Sequence, residues 1–144
     1  MTLPADVELS VNYPDLSPGA LTDLYTAVGW NAAGRRTPQL TGRMLRQTFA
    51  HVCAYRIGAH REGQLVGFGR AGGDVYGVQI LDLMTRPEFQ GQGIGSAVLR
   101  LLLSQVRGEV LGVSLIDGSG RPGFYERFGF EAADANTDRL MYLD

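Results

Sequence analysis

The segment Gln90-Gly91-Gln92-Gly93-Ile94-Gly95-Ser96 constrains this chain more than any other. It lies between a strand-like run, Gly77 to Thr85, and a periodic helix that starts near Gly93 and extends to about Arg107. That helix carries Ile94, Ala97, Val98, Leu101, Leu102 and Val106 on one face. Three glycines in five residues, where a strand hands over to a helix, let backbone N–H groups approach a ligand with no Cβ in the way. A helix N-terminus adds unpaired donors and partial positive charge. Together these suit an anion such as phosphate or pyrophosphate. A plain tight connection would use the same residues, so the neighbouring sequence must decide.

The rest of the chain alternates between both kinds of element. Val7 to Asn12 alternates apolar and polar residues and predicts a strand. Ser17 and Pro18 are good N-cap and first-turn residues for a helix through Leu21, Leu24, Tyr25 and Val28, closed by Gly29. After a polar loop, Thr37-Pro38 opens a second helix, predicted to reach about Phe49. Strands are predicted at Val52 to Ala59 and Gln64 to Ala71, joined by an Arg61-Glu62-Gly63 turn, and at Tyr76 to Thr85 after a Gly72-Gly73-Asp74 turn. Beyond the glycine-rich segment come an apolar, buried-looking strand at Leu111 to Ile116, a loop from Asp117 to Gly120 and a short helix from Pro122 to Phe128. Two last strands are predicted at Phe130 to Ala133 and Arg139 to Leu143. The order is β-α-α-β-β-β-α-β-α-β-β, an α/β or α+β fold in one domain over residues 1–144.

Several function classes drop out on composition. A chain of 144 residues with 44% hydrophobic and 19% charged residues can bury a core without metal or disulfides. Its single cysteine, Cys53, cannot form an internal disulfide, which fits a reducing compartment. Met1 to Asp6 lacks the basic and apolar regions of a signal peptide, and no apolar run approaches a membrane span. A cytoplasmic protein is therefore expected, with no membrane partner. A net charge of −2 without a basic cluster argues against nucleic acid as a partner. No histidine or cysteine spacing suggests a metal.

Two phosphate-binding motifs fit poorly. A dinucleotide fingerprint needs Gly or Ala where Ser96 stands, and it belongs in a first βα unit rather than after a run of hairpins. A P-loop needs Lys-Ser/Thr after its last glycine, whereas this chain has Gly95-Ser96-Ala97. The segment instead resembles the Gln/Arg-x-x-Gly-x-Gly/Ala signature of the GNAT N-acetyltransferases, standing here as Gln90-Gly91-Gln92-Gly93-Ile94-Gly95. A second family block, aromatic-Tyr-Glu-x-x-Gly-Phe, stands as Phe124-Tyr125-Glu126-Arg127-Phe128-Gly129-Phe130, about 30 residues on and across a predicted strand. The resemblance covers nearly the whole chain.

This resemblance implies a mixed, mostly antiparallel sheet flanked by helices, with two strands splayed around acetyl-CoA. By family resemblance, main-chain groups of Leu83, Met84 and Thr85 pair with the pantetheine arm, while Gln90, Gly91, Gln92, Gly93, Ile94, Gly95 and Ser96 hold the pyrophosphate. Tyr125 contacts the cofactor and is the expected general acid, since a neutral phenol with pKa near ~10 can protonate a departing thiolate. The Met84 N–H is expected to polarise the thioester carbonyl. For the base, Asp82 and Asp117 compete, and water remains a third option; a solvated strand residue and a turn former are their respective structural roles. Glu126 is expected to face solvent.

Trp30, Tyr25 and Phe49 are expected at the acceptor pocket, with core packing as the competing role of each. Arg35 and Arg36 read as solvated loop residues that a substrate acid could also meet, and Cys53, His51 and His60 read as structural. The function implied is acetyl-CoA-dependent N-acetylation of a primary amine, on a small molecule or peptide, by direct transfer in a ternary complex. The alternative is a catalytically weak acyl-CoA-binding or protein-interaction module on the same fold. A homodimer is expected from relatives. Acceptor and acyl preference carry no transferable motif.

Overall fold

A computed structural model describes residues 2–58, 63–134, 136 and 140–143. Among these residues five strands form one sheet in sequence order: β1 (Val7–Val11), β2 (Ala50–Ile57), β3 (Gly63–Asp74), β4 (Gly77–Thr85) and β5 (Val113–Leu115). The first four pair antiparallel; β5 runs parallel to β4, as a strand reached through an intervening helix can. The helices are α1 (Pro18–Ala27), α2 (Pro38–Gln47) and α3 (Ile94–Val106). Among the described residues, no helix is long and apolar enough to cross a membrane.

Each helix begins as its sequence dictates. Ser17 and Thr37 have extended backbones, and their side chains accept from Ala20 N and Leu40 N, with proline in the first turn of both helices. The buried Thr22 and Thr41 hydroxyls are hydrogen-bonded at 2.7 Å and tie α1 to α2. Helix α3 has an apolar face made of Ile94, Val98, Leu99, Leu102 and Val106, all at most 1% exposed. That face covers one side of the sheet, against Val52, Ala54, Val66 and Ile80. Leu21, Leu24 and Tyr25 of α1 cover the other side, against Cys53, Leu65, Phe68 and Met84. Burial pushes the Cys53 thiol up to about 12, so it behaves as a small core residue.

Several boundaries differ from the sequence expectation. Helix α2 stops at Gln47, because Thr48 turns extended and the Phe49 N–H donates to Ala71 O, joining the sheet. Phe49 therefore packs on the α3 side of the sheet and lines neither of the two cavities described below. Strand β3 continues through Gly72-Gly73-Asp74, and the turn falls at Val75-Tyr76. A Cβ on Gly73 would lie 2.2 Å from Gly77 O, so the chain keeps pairing there only as glycine. Strand β2 begins at Ala50 and ends at Ile57; Ala59, the predicted end, lies outside the described residues, as do Arg61 and Glu62 of the predicted turn.

The C-terminal third departs most. Strand β5 has only three residues, and Leu111 and Ile116, expected to be buried, are 81% and 52% exposed. Among the described residues β5 pairs on one side only, and its outer edge carries no further strand. The predicted helix Pro122 to Phe128 reduces to a 3-10 turn at Glu126–Phe128, because Gly123 at φ +78° breaks the helical path. Residues 130–133 and 140–143 adopt no regular structure, and Arg139 lies outside the described residues.

Candidate active site

The site is made by one extra residue in β4. Phe68 pairs with Met84 and Arg70 with Leu81, so Gly69 of β3 faces two residues, Asp82 and Leu83. The surplus produces a β-bulge, and Asp82 takes φ +55°, an uncommon value outside glycine. The parallel ladder with β5 ends two residues before Asp82, at Ile80–Leu115. From there the strands diverge. A cavity of about 680 Å³ opens between Ile80, Leu81, Asp82, Leu83 and Thr85 on one wall and Ile116, Ser119, Arg121 and Tyr125 on the other. That volume is in the usual range for a ligand site.

At the end of the opened strand the glycine-rich turn forms the cavity's next wall. Gly91 and Gly93 adopt φ +79° and +83°, and Gly93 is the N-cap of α3 with no side-chain cap. The first N–H groups of α3 thus lack side-chain acceptors and border the cavity through Gly93, Ile94, Gly95 and Ser96. The Gln90 side-chain amide donates to Thr85 O at 3.3 Å and holds the turn against β4. Gln92 does not line the cavity.

Backbone alternation decides which strand groups face the opening. Arg86 N donates to Val66 O at 2.7 Å, and Gly67–Thr85 and Phe68–Met84 are the next pairs. Hydrogen-bonded pairs alternate along an antiparallel ladder, so Met84 turns its peptide groups toward β3 while Leu83 and Thr85 turn theirs toward the gap. The Met84 side chain is buried in the α1-side core at 2% exposure. The Met84 N–H, expected to polarise the thioester carbonyl, faces β3; the peptide groups that face the gap are those of Leu83 and Thr85.

Tyr125 is partly buried beside Phe124 (ring centroids 4.9 Å) and Phe130 (6.1 Å). Burial first, and the negative charge of Asp117 second, raise its phenol above the ordinary 10, with Arg121 partly opposing. Asp117 accepts from the Ser119 hydroxyl (2.6 Å) and the Ser119 N–H (2.9 Å), which hold it below the usual carboxylate range. Asp82 Oδ2 accepts from the Tyr25 hydroxyl and from Arg70 Nε, both at 2.6 Å, while Oδ1 has no partner among the described residues. Trp30, 45% exposed, reaches the large cavity; Tyr25, 2% exposed, borders only a smaller one behind Asp82. Sequence reasoning missed Arg100, Arg121 and Arg127, which also border the large cavity. Arg100 stands one helical turn after Ser96, a spacing that could have found it.

A mixed sheet whose paired strands part at a bulge, with a glycine-capped helix receiving the opened strand, is the architecture of the GNAT acetyltransferases. The chain belongs to that family: a family model described as an acetyltransferase (GNAT) domain matches residues 50–132. A rice protein named serotonin N-acetyltransferase 2, chloroplastic, is 33% identical over 133 residues, 88% of this chain and 62% of its own length. An Arabidopsis protein named GCN5-related N-acetyltransferase 2, chloroplastic, is 35% identical over 74 residues, 50% of this chain and 29% of its own length. The chain thus matches under two thirds of either relative. A solved GNAT-family structure from Streptococcus pneumoniae superposes with TM-score 0.75 at 25% identity, covering 96% of this chain and 97% of that one. A Brucella melitensis GNAT structure solved with acetyl-CoA shares the fold at TM-score 0.65 and 20% identity, covering 88% of this chain and 83% of that one.

Proposed function

We propose that this chain transfers an acetyl group from acetyl-CoA to a primary amine by direct attack in a ternary complex. The observation that carries the reading is the continuity of β4: the strand parts from β5 after Ile80, stays paired to β3 alone through Thr85, and leads through the glycine turn into the uncapped start of α3. An extended thioester arm can add to a free strand edge, and its phosphates can meet helix N–H groups. The fit is supported by the glycine turn and by the three arginines on the cavity wall. Acetyl-CoA would supply an acyl group already activated as a thioester.

The chain's own groups divide the remaining work. Leu83 and Thr85 present peptide groups to the opening, and the Leu83 N–H is suited to the thioester carbonyl. Asp82 Oδ1 is suited to hold the acceptor amine, directly or through a water that carries away its proton. As the N–C bond forms and the C–S bond breaks, Tyr125 gives its phenolic proton to the thiolate. Its raised pKa keeps it protonated at neutral pH.

Calorimetric titration with acetyl-CoA, alongside ATP, tests the donor half, and free CoA release over a panel of amines tests the transfer. Tight acetyl-CoA binding without ATP binding, followed by amine-dependent CoA release, is the expected result. ATP binding, or no acetyl-CoA binding, sinks the reading.

A further inference from the structure

Behind Asp82 lies a second cavity of about 140 Å³, between α1, α2 and the sheet. Asp82 lines both cavities, so this one opens beside the point where the amine must sit. It is smaller than the roughly 300–1,000 Å³ of a complete ligand pocket, and suits one end of a molecule. Its walls carry three guanidinium groups, from Arg35, Arg36 and Arg70, against the single carboxylate of Asp82. Arg70 is already committed to that carboxylate. Arg35 has no ion pair or hydrogen bond among the described residues. Arg36 lies 4.8 Å from the centre of the Tyr25 ring and donates to the Trp30 carbonyl, partners that orient it without cancelling its charge.

The surroundings reinforce this imbalance. From residue 24 to residue 61 the sequence contains no aspartate or glutamate but has Arg35, Arg36, Arg43, Arg46, Arg56 and Arg61, in a protein of net charge −2. Loop and α2 therefore supply no internal counter-ion for the cavity. Two uncompensated arginines beside an amine site call for an anionic group on the incoming molecule.

We propose that this cavity is the acceptor subsite and that it selects small amines bearing an oxyanion, a carboxylate or a phosphate, which Arg35 and Arg36 bind while the amine faces Asp82. The proposal rests on the acetyltransferase reading for its amine, but its binding half can be measured alone.

The test compares 4-aminobutyrate and phosphoethanolamine with butylamine and ethanolamine at fixed ionic strength. Acetyl transfer is measured together with calorimetric binding, in wild type, Arg35→Gln and Arg35→Lys. Arg35 is on an exposed loop, so folding is not at stake. The expected result is kcat/KM about tenfold or more higher for an oxyanion-bearing amine than for its neutral counterpart, with that preference lost in Arg35→Gln and partly kept in Arg35→Lys. Whichever probe shows the larger preference identifies the oxyanion. Equal or better use of the neutral amines overturns the subsite and leaves the acetyltransferase reading standing. Arg35-dependent binding of the oxyanion probes without any acetyl transfer supports the subsite and sinks the acetyltransferase reading. Absence of both the preference and the Arg35-dependent binding overturns the subsite.

Discussion

The Tyr25 hydroxyl donates to Asp82 Oδ2 across 2.6 Å, joining residues 57 apart in sequence and linking the first helix to the bulge of β4. The bond ties the backbone turn that opens the large cavity to α1, whose Tyr25 borders the smaller one. Burial first, then the charge of Asp82, drive the Tyr25 phenol well above its ordinary value, so it stays a donor throughout the working pH range.

Replacing Tyr25 with Phe keeps the ring and removes this donor. Tyr25 is buried, and Asp82 retains Arg70 as a partner. The expected cost is about 1–3 kcal/mol of stability, read from the urea midpoint at constant slope. An unchanged midpoint would show that the bond does not anchor α1.

Tyr125→Phe is expected to lower kcat by about 100-fold or more with acetyl-CoA affinity unchanged. The phenol's raised pKa puts its deprotonation above pH 10, so the wild-type rate should lose its acid-dependent component only beyond that pH. A rate lost at neutral pH, or full activity in the variant, contradicts the proton-donor role.

Two glycines of the turn should separate stability from binding. Gly93 has φ +83°, so Gly93→Ala is expected to lose both about 1–2 kcal/mol of stability and acetyl-CoA affinity. Gly95 lies in the first turn of α3, and an added Cβ meets Thr85 Oγ1 at an ordinary 3.5 Å. Gly95→Ala should therefore fold at least as well as wild type but bind acetyl-CoA more weakly, its methyl facing the cavity. Thermal melts with and without acetyl-CoA check both. Undiminished affinity in Gly95→Ala would remove the helix start from the binding site.

His51 is 9% exposed, stacks on Phe68, and its Nε2 has no hydrogen-bond partner among the described residues. Burial lowers its pKa from 6.5, although a backbone bond to Tyr13 opposes the shift. Between the lowered folded value and 6.5 the unfolded chain binds more protons. His51 therefore stabilises the fold least at low pH: stability falls as pH drops below about 6.5 and stops falling below the folded value. His51→Leu should flatten that part of a urea-unfolding profile against pH. An equal slope in both proteins would exclude His51 as its source.

The elements with local signals were legible in the sequence. Ser17-Pro18 and Thr37-Pro38 announced α1 and α2, and the glycine turn announced both the start of α3 and the donor side of the site. The bulge was not legible. Asp82 carries no glycine to mark its positive φ; the conformation comes from pairing with β3 and from the Tyr25 and Arg70 bonds, which join distant residues. The same holds for Met84, whose apolar side chain gives no sign of which way its N–H points until the register is known. Residues 130–133, expected as a strand, adopt no regular structure, because strand propensity expresses itself only where a partner edge pairs with it. Arg35 and Arg36 read as solvated because nothing local shows that α2 folds back to make a cavity wall of them.

The sheet separates two inheritable variables. Residues that shape the donor side lean on the α3 core, whereas Tyr25, Met44 and the arginine loop lean on the α1 core across the strands. Asp82, at the β4 bulge, lines the cavities on both sides. A lineage could exchange its α1–α2 segment and so change the amine it accepts, with the donor apparatus left as it was. In this architecture selectivity can drift while chemistry stays fixed.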